Sequence, residues 1–468
     1  MNRIIMLMAV CMMFALPSCD SFLSLTPPSQ ATAGNFYKTT ADVTNAVTAA
    51  YSALRSGSMY TGHFIYLMEV RSDNIEDQNP GANAGMNYNI DRFLALADNG
   101  VVGDAYLALY GAISRCNNVL PHLGVVTDPA LKMQYEGELR FLRALHYFQI
   151  VRLWGAAPLV LSVVTTEESK SIGRSPVADV YAAIEADLTA AAGLLPAVYT
   201  KNADMGRATA GAAKALLAKV YLTEKKYSQA VNTLKELAPP QSNPFGYRLL
   251  DNVADVFSAG NKMNDEIIFA IRYDKTILGQ GHGLFFGNPV LDPKLLNAYE
   301  SGDARRDLLN KAQLNATTFL VKKYYDTYDL TNQNMGNDFV ILRYADVLLM
   351  YAEALNEMAY SSDPNGDAFK YLNMVRTRSG ATPFTPVQLA SQAAFRVAVL
   401  QERRLELPLE LHRWFDLVRT STAIDALKTS GLTPITIEPY QYLYPVPQGQ
   451  IETMNNQALY PQNPGYTK

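Results

Sequence analysis

The stretch RATAGAAKALLAKVYLTEKKYSQAVNTLKEL, residues 207–237, decides the fold class of this chain. Small alanines recur at helical spacing, Tyr221 and Tyr227 flank a short break, and Ala230 lies in the second half. Small residues at such positions let two neighbouring helices approach closely. The stretch therefore predicts a helix, a short turn and a second helix packed against the first.

A second unit with the same plan occupies residues 343–378. It reads RYADVLLMYAEALNE, continues through a loop from Ser361 to Gly366, and ends in DAFKYLNMVRTR. The two units resemble tetratricopeptide repeats, whose helix pairs stack on one another. We therefore expect a mainly α fold of stacked helix pairs, in which these tyrosines and alanines form the scaffold.

Two further helices are predicted between the N-terminus and the first unit. Segment 136–153 repeats large apolar residues from Leu139 to Phe148 at three-residue steps, and Gly155 then ends the helix. Segment 176–195 opens with a proline and carries apolar residues on one side. Each apolar stripe requires a partner helix.

Two regions break the helical pattern and are rich in Pro, Gly, Asn and aromatic residues. They span residues 56–104 and about 239–338, and the second contains only short β-like runs such as 266–273. Loops of this length within a folded domain usually carry function. We expect them to form an irregular face with minor β structure on the helical scaffold.

The N-terminus has the pattern of a lipoprotein signal. A short positive start precedes an apolar run, Ile4 to Leu16, that is too short to cross a bilayer, and Cys19 follows. Residues 1–18 are therefore predicted to be a signal peptide, with Cys19 as the acylated residue. Residues 19–33 would form the anchor and tether, and residues 34–468 a single helical domain.

Composition and motifs argue against several classes of function. The net charge of −4 gives no basic face for nucleic acid. Five scattered histidines without ligand spacing predict no metal site, and no nucleophile elbow or phosphate loop occurs, so no cofactor is expected. Two carboxylates suffice for a glycosidase, which the sequence alone does not exclude.

Two charged motifs are interpreted as structural. Residues 402–416 alternate acidic and basic side chains at helical spacing, which favours partly buried ion pairs over a paired-carboxylate active site. Residues 363–367 begin like a calcium loop, but the glycine is out of register. Asp367 is expected to cap the helix that follows.

An ordered set of motifs resembles the SusD/RagB family. These are DSFLSLTP after the cysteine, NFYKTTADVTNAVTAAYSALR, LRFLRALHYFQIVRLWGAAPLV, ILRYADVLLMYAEALNE, QERRLELPLELHRWFDLVR and YLYPVPQGQIETMNNQALYPQNPGY. The resemblance covers residues 19–468 and implies a tetratricopeptide-like scaffold. It also implies attachment to the outer membrane at the cell surface and a SusC-like, TonB-dependent transporter as partner. Members of the family import glycans or, in some cases, peptides.

One departure from the family pattern concerns a turn. Many relatives have an aromatic residue followed by Glu-Gly, where this chain has Leu409, Glu410 and Leu411. We expect Pro408 and Leu411 to affect the geometry of the scaffold rather than the choice of ligand.

The function predicted from the sequence is non-enzymatic glycan binding followed by delivery to the transporter. Three alternatives stay open: a peptide-binding member of the family, an envelope scaffold that holds a protein partner, and a surface glycosidase. Sugar binding needs aromatic platforms beside amide, Arg or carboxylate groups. The loop-rich regions offer eight candidates: Asp73, Asn87, Tyr88, Arg92, Phe285, Phe286, Tyr324 and Tyr325.

Overall fold

The computed structural model describes residues 36–239, 242–277, 290–313, 319–326 and 335–466. The predicted signal peptide, the tether with Cys19, and the candidates Phe285 and Phe286 lie outside the described residues. No helix in these ranges is long and apolar enough to span a bilayer.

Helices form most of the regular structure, as expected for a mainly α chain. In chain order they are α1 Thr40–Ser52, α2 Met86–Asp91, α3 Gly100–Val119, α4 Pro129–Trp154, α5 Thr166–Ser169, α6 Val177–Leu194, α7 Ala210–Thr223, α8 Tyr227–Leu234, α9 Pro293–Asn297, α10 Arg305–Leu308, α11 Tyr344–Met358, α12 Asp367–Arg378, α13 Gln392–Glu406, α14 Arg413–Arg419, α15 Ala423–Lys428 and α16 Gln448–Met454.

The strands are short and form antiparallel pairs. They are β1 Ile75–Glu76, β2 Ala157–Pro158, β3 Arg174–Ser175, β4 Ile267–Ile271, β5 Val290–Leu291, β6 Lys311–Gln313, β7 Phe319–Val321 and β8 Phe339–Arg343. The pairs are β1 with β5, β2 with β3, β4 with β8, and β6 with β7. The β-like run predicted within the second loop region is confirmed as β4, which is buried along its whole length.

Both predicted helix pairs are confirmed. In the first, α7 packs against α8, with Ala230 completely buried between them. In the second, α11 packs against α12, and Ala352 and Ala354 are fully buried. The two pairs also contact each other through α8 and α11. Units about a hundred residues apart in sequence are therefore stacked neighbours in the fold, as in a helical repeat.

Helix α4 is longer than its apolar stripe predicted. It begins at Pro129 because the Asp128 side chain accepts hydrogen bonds from the backbone N–H groups of Ala130 and Leu131. It ends at Gly155, where φ of +73° favours glycine. The predicted end is confirmed, whereas the first two turns are mostly exposed and lie before the apolar stripe.

The charged stretch of α13 forms structural ion pairs, as predicted. Arg343 is completely buried, and its guanidinium lies 2.8 Å from Glu410 Oε2 and 2.6 Å from Glu406 Oε1. Glu266 Oε1 accepts from the same group at 3.0 Å, and Arg305 Nη1 reaches Glu406 Oε2 at 3.0 Å. Because the carboxylates share arginines, this cluster joins β4, β8 and α13 to the core.

The turn at residues 408–411 is held from inside the protein. Leu409 and Leu411 have φ of +65° and +64°, a region in which leucine is strained. Their backbone N–H groups donate to the two carboxylate oxygens of buried Glu69, at 2.9 and 3.0 Å. The Tyr324 hydroxyl donates to the Leu409 carbonyl at 2.9 Å. Buried acceptors and donors thus keep a glycine-like turn in place without glycine.

One predicted cap is wrong. Gly366 is the N-cap of α12, Asp367 is its first helical residue, and no side chain caps the helix. Asp367 instead adds a negative charge to the first turn, where it interacts favourably with the helix dipole.

Candidate functional site

The two loop-rich regions meet through strands β1 and β5. Ile75 pairs with Leu291 and Glu76 with Val290, and the Asp292 N–H donates to the Asn74 carbonyl at 2.9 Å. This antiparallel pairing thus brings together two segments that are about 215 residues apart in sequence. The proposal that both regions contribute to one face is consistent with this pairing.

A polar cluster follows β1 and surrounds Glu76. The Glu76 carboxylate accepts from Arg92 Nη2 at 3.1 Å, from Gln78 Nε2 at 2.6 Å and from the Thr433 N–H at 3.1 Å. Burial disfavours the charged form of Glu76, but these hydrogen bonds outweigh it and leave its pKa below the ordinary value. Glu76 is therefore a fixed anion that orients the Arg92 guanidinium.

Tyr88 is the aromatic residue of this cluster. Its ring is partly exposed, and the Arg92 guanidinium carbon lies 5.2 Å from the ring centroid. The oriented arginine and the tyrosine therefore hold each other in place by a cation–π contact. We call Glu76, Gln78, Asn87, Tyr88 and Arg92 the β1–β5 face.

The turn before α2 positions Asn87 and Tyr88. Asn79 Oδ1 accepts from the N–H groups of Gly81 and Ala82, which forms an Asx turn. Gly85 then has φ of +78°, and an added Cβ would lie 3.2 Å from a backbone carbonyl. Glycine is thus required at the residue before α2. Asn87 is mostly buried and accepts a hydrogen bond from a neighbouring asparagine in the turn, at 3.2 Å.

Asp91 is the titratable group beneath this face. It is 3% exposed, accepts from the Asp77 N–H at 3.3 Å and lies 3.3 Å from Arg92 Nε. Burial raises the pKa of Asp91 to about 7, although Arg92 favours its charged form. A change in its protonation near neutral pH would alter the charge behind Arg92.

Two predicted ligand residues are buried in the structure. Asp73 is 3% exposed and binds Arg413 through both carboxylate oxygens, at 2.7 and 2.9 Å. Tyr324 is completely buried, and its hydroxyl is bonded inside the core. Neither side chain is open to solvent in this structure. The sequence alone did not distinguish a buried loop residue from an exposed one.

The remaining candidates divide between two places. Asn87, Tyr88 and Arg92 lie together on the β1–β5 face, as proposed for the first loop region. Tyr325 is 44% exposed and precedes Asp326, which lines a separate cleft of about 730 Å³.

That cleft contains side chains that the sequence reasoning missed. Arg55 and Arg272 line both it and an adjoining cavity of about 200 Å³. Arg55 ends the motif NAVTAAYSALR, which contributed to the sequence analysis only as part of the family resemblance. No local sequence pattern marks these arginines, and the close approach of Arg272 to Gly206, where an added Cβ would lie 2.5 Å from Arg272 Cδ, is visible only in the structure. Among the described residues, no group of His, Cys, Asp and Glu is arranged to hold a metal ion.

The family comparison covers both ends of the chain. The model described as "SusD family" matches residues 300–466, and the model described as "Starch-binding associating with outer membrane" matches residues 21–222. The chain belongs to the SusD family.

Relatives and solved structures agree over almost the full length. A SusD-like protein P25 from Formosa agariphila is 29% identical, and the match covers 95% of each chain. The structure of a "Laminarin binding SusD-like protein" has a TM-score of 0.77 at 26% identity, covering 92% of this chain and 100% of that one. "Surface glycan-binding protein A" from Bacteroides uniformis shares the fold, with a TM-score of 0.76 at 24% identity over 91% and 99%.

Proposed function

We propose that this chain is a cell-surface protein that binds glycans at the β1–β5 face without altering them. The observation that carries the proposal is the partly exposed Tyr88 ring, held by Arg92 and flanked by polar groups. An aromatic face stacks on a sugar ring, while amide and guanidinium groups match its hydroxyls. The similar structure named for laminarin binding supports a carbohydrate ligand.

The chain would work as the capture half of an import system. The signal pattern before Cys19 and the family description of association with the outer membrane support a lipid-anchored surface protein. Resemblance to the SusD/RagB family supports a SusC-like, TonB-dependent transporter as its partner. In this mechanism the ligand is bound and released, and no covalent bond is formed or broken.

Binding to a panel of plant, host and microbial polysaccharides, with a peptide pool alongside, tests the ligand class. We expect a saturable glycan hit, weakened about tenfold in Tyr88→Ala because a stacked ring is lost. Tyr88→Phe keeps the ring and serves as the matched control, so it should bind nearly as tightly as the wild type.

The outcomes separate the alternatives. Binding lost in Tyr325→Ala but kept in Tyr88→Ala would move the site to the second loop region. A response to peptides alone would refute the glycan assignment, and release of reducing ends from a bound polysaccharide would refute non-enzymatic binding.

Anchoring and partnership need a cellular test. Cys19→Ala should abolish incorporation of labelled palmitate and surface exposure, while glycan binding by the purified protein persists. Cross-linking on intact cells should recover a large TonB-dependent barrel protein with the wild type. A wild-type chain that never reaches the surface would contradict the proposed role.

A further inference from the structure

Arg55 lies in an unusual position at the end of the first helical segment. It closes the 3-10 turn Ala53–Arg55 that follows α1, and its side chain is half-buried. Among the residues that the structure describes, its guanidinium makes neither an ion pair nor a hydrogen bond. Arginine at a helix end often satisfies the last carbonyls, but here Arg115 donates to the Ala49 carbonyl at 2.9 Å.

Arg272, the residue that follows strand β4, approaches the same space. Its Nη1 donates to the Met205 carbonyl at 3.0 Å, and its Nε is 3.9 Å from Asp338 Oδ2, which is too long for a hydrogen bond. The closely packed Gly206 fixes the course of this side chain. Arg272 is thus held by a neutral carbonyl, and the carboxylates around it are Asp338, at 3.9 Å, and Asp274, with which it interacts electrostatically.

The two lysines of the 730 Å³ cleft are paired with carboxylates. Lys262 Nζ bonds Asp338 Oδ1 at 2.8 Å, and Lys275 Nζ lies 3.3 Å from Asp326 Oδ2. Asp274 accepts from the N–H and hydroxyl of Thr276, at 2.9 and 2.7 Å. Apart from these ion pairs, the cleft keeps the two arginines and the carboxylate of Asp274, which leaves a net charge of +1.

We infer that this cleft binds an acidic sugar through Arg55 and Arg272, an inference that rests on the proposed glycan-binding function. A planar guanidinium presents paired N–H donors that fit two oxygens of a carboxylate or sulfate. Because Arg55 has no partner in the described part of the protein, an anionic ligand would not have to displace one, and it would replace the water around two solvent-accessible guanidinium groups. The volume of about 730 Å³ lies within the range of small-molecule sites.

The test is isothermal titration calorimetry with the full-length chain in detergent. The probes are oligogalacturonate, sulfated laminarin oligomers, neutral laminarin oligomers of equal length, sodium sulfate and an acidic peptide pool. We expect an acidic oligosaccharide to bind at least tenfold more tightly than the neutral one, because charge-assisted hydrogen bonds are added. Its affinity should fall when salt rises from 50 to 500 mM, since screening weakens exposed charges.

Three variants locate the effect. Arg55→Gln and Arg272→Gln should each lower the affinity for the acidic oligosaccharide about tenfold and change neutral binding less than twofold. Arg248→Gln is the matched control, because this arginine is exposed and pairs with Asp265 elsewhere on the surface. Thermal melts of each variant verify that it is folded.

Each result has a defined meaning. Preference for oligogalacturonate identifies a carboxylate ligand, and preference for sulfated laminarin identifies a sulfate ester. Equal affinity for neutral and acidic oligomers, or acidic binding unaffected by Arg55→Gln, overturns the inference and leaves the proposed function intact. Binding of acidic peptides but not of acidic sugars also overturns it, and absence of binding to any glycan overturns both.

Discussion

Asp73→Asn tests whether a predicted ligand residue is in fact a scaffold residue. Asp73 binds Arg413 through both oxygens at 2.7 and 2.9 Å, and Arg404 Nη2 lies 3.2 Å from it. Removing one partner of a buried ion pair costs about 3–5 kcal/mol. Arg404 keeps Asp292 at 2.8 Å, so we expect the lower end, a loss of about 3 kcal/mol in the free energy of unfolding.

The pH dependence sharpens this prediction. Burial raises the pKa of Asp73, but Arg413 and Arg404 outweigh it, and the folded-state pKa is below that of the unfolded chain. The stabilisation is therefore complete above about pH 4 and is lost as the pH falls through the folded-state value. Urea unfolding should show a gap between wild type and variant at pH 7 that narrows towards pH 3.

The control is Asp98→Asn, which changes an exposed aspartate in the same loop region. It should leave the unfolding free energy within about 0.5 kcal/mol of the wild type. If Asp73→Asn were as stable as the wild type but no longer bound glycan, our reasoning would be refuted and Asp73 would again be a candidate ligand residue.

Three further changes test the scaffold and the face. Arg343→Met should lower the unfolding free energy by about 3 kcal/mol, because the buried Glu406 and Glu410 lose the arginine that they share and keep only Arg305 and Arg378, and Lys323, respectively; an unchanged urea midpoint would contradict this. Asp91→Asn removes the carboxyl group whose pKa is raised to about 7. As the pH rises from 4 to 7, the wild type should therefore lose up to about 4 kcal/mol of stability relative to this variant. Parallel pH–stability curves of the two proteins would contradict the raised pKa. At the positive-φ position 411, Leu411→Gly should be about 1 kcal/mol more stable than Leu411→Ala by urea unfolding, and the reverse order would show an unstrained turn.

The sequence was sufficient for the scaffold because its signals are local. Alanine spacing near residue 230, the apolar steps from Leu139 to Phe148 and the stop at Gly155 each depend on neighbours within a few turns. The alternation of charge in α13 likewise predicted ion pairing, since opposite charges at helical spacing rarely stay apart in a core. The cap assigned to Asp367 failed because backbone geometry at Gly366 sets the first turn.

The candidate site depended on contacts that no local pattern encodes. Three of the proposed residues lie together because β1 pairs with β5, about 215 residues further along the chain. Asp73 and Tyr324 belong to equally loop-like sequence, yet Arg413 and the carbonyl of Leu409 draw them into the interior. The burial of a loop residue is decided by its partners elsewhere in the sequence. Residue type and spacing therefore could not distinguish a side chain that is open to a ligand from one that is buried in the scaffold.

By itself the sequence determined the stacked helix pairs, the two loop-rich regions and the resemblance to the SusD/RagB family, because helix periodicity and ordered motifs are written along the chain. Only the tertiary structure decided which loop side chains remain open, that Arg92 is set against Tyr88 by Glu76, and that Arg55 and Arg272 share a cleft. These juxtapositions arise from long-range packing, in which the exposure and charge balance of each side chain depend on elements far away in sequence.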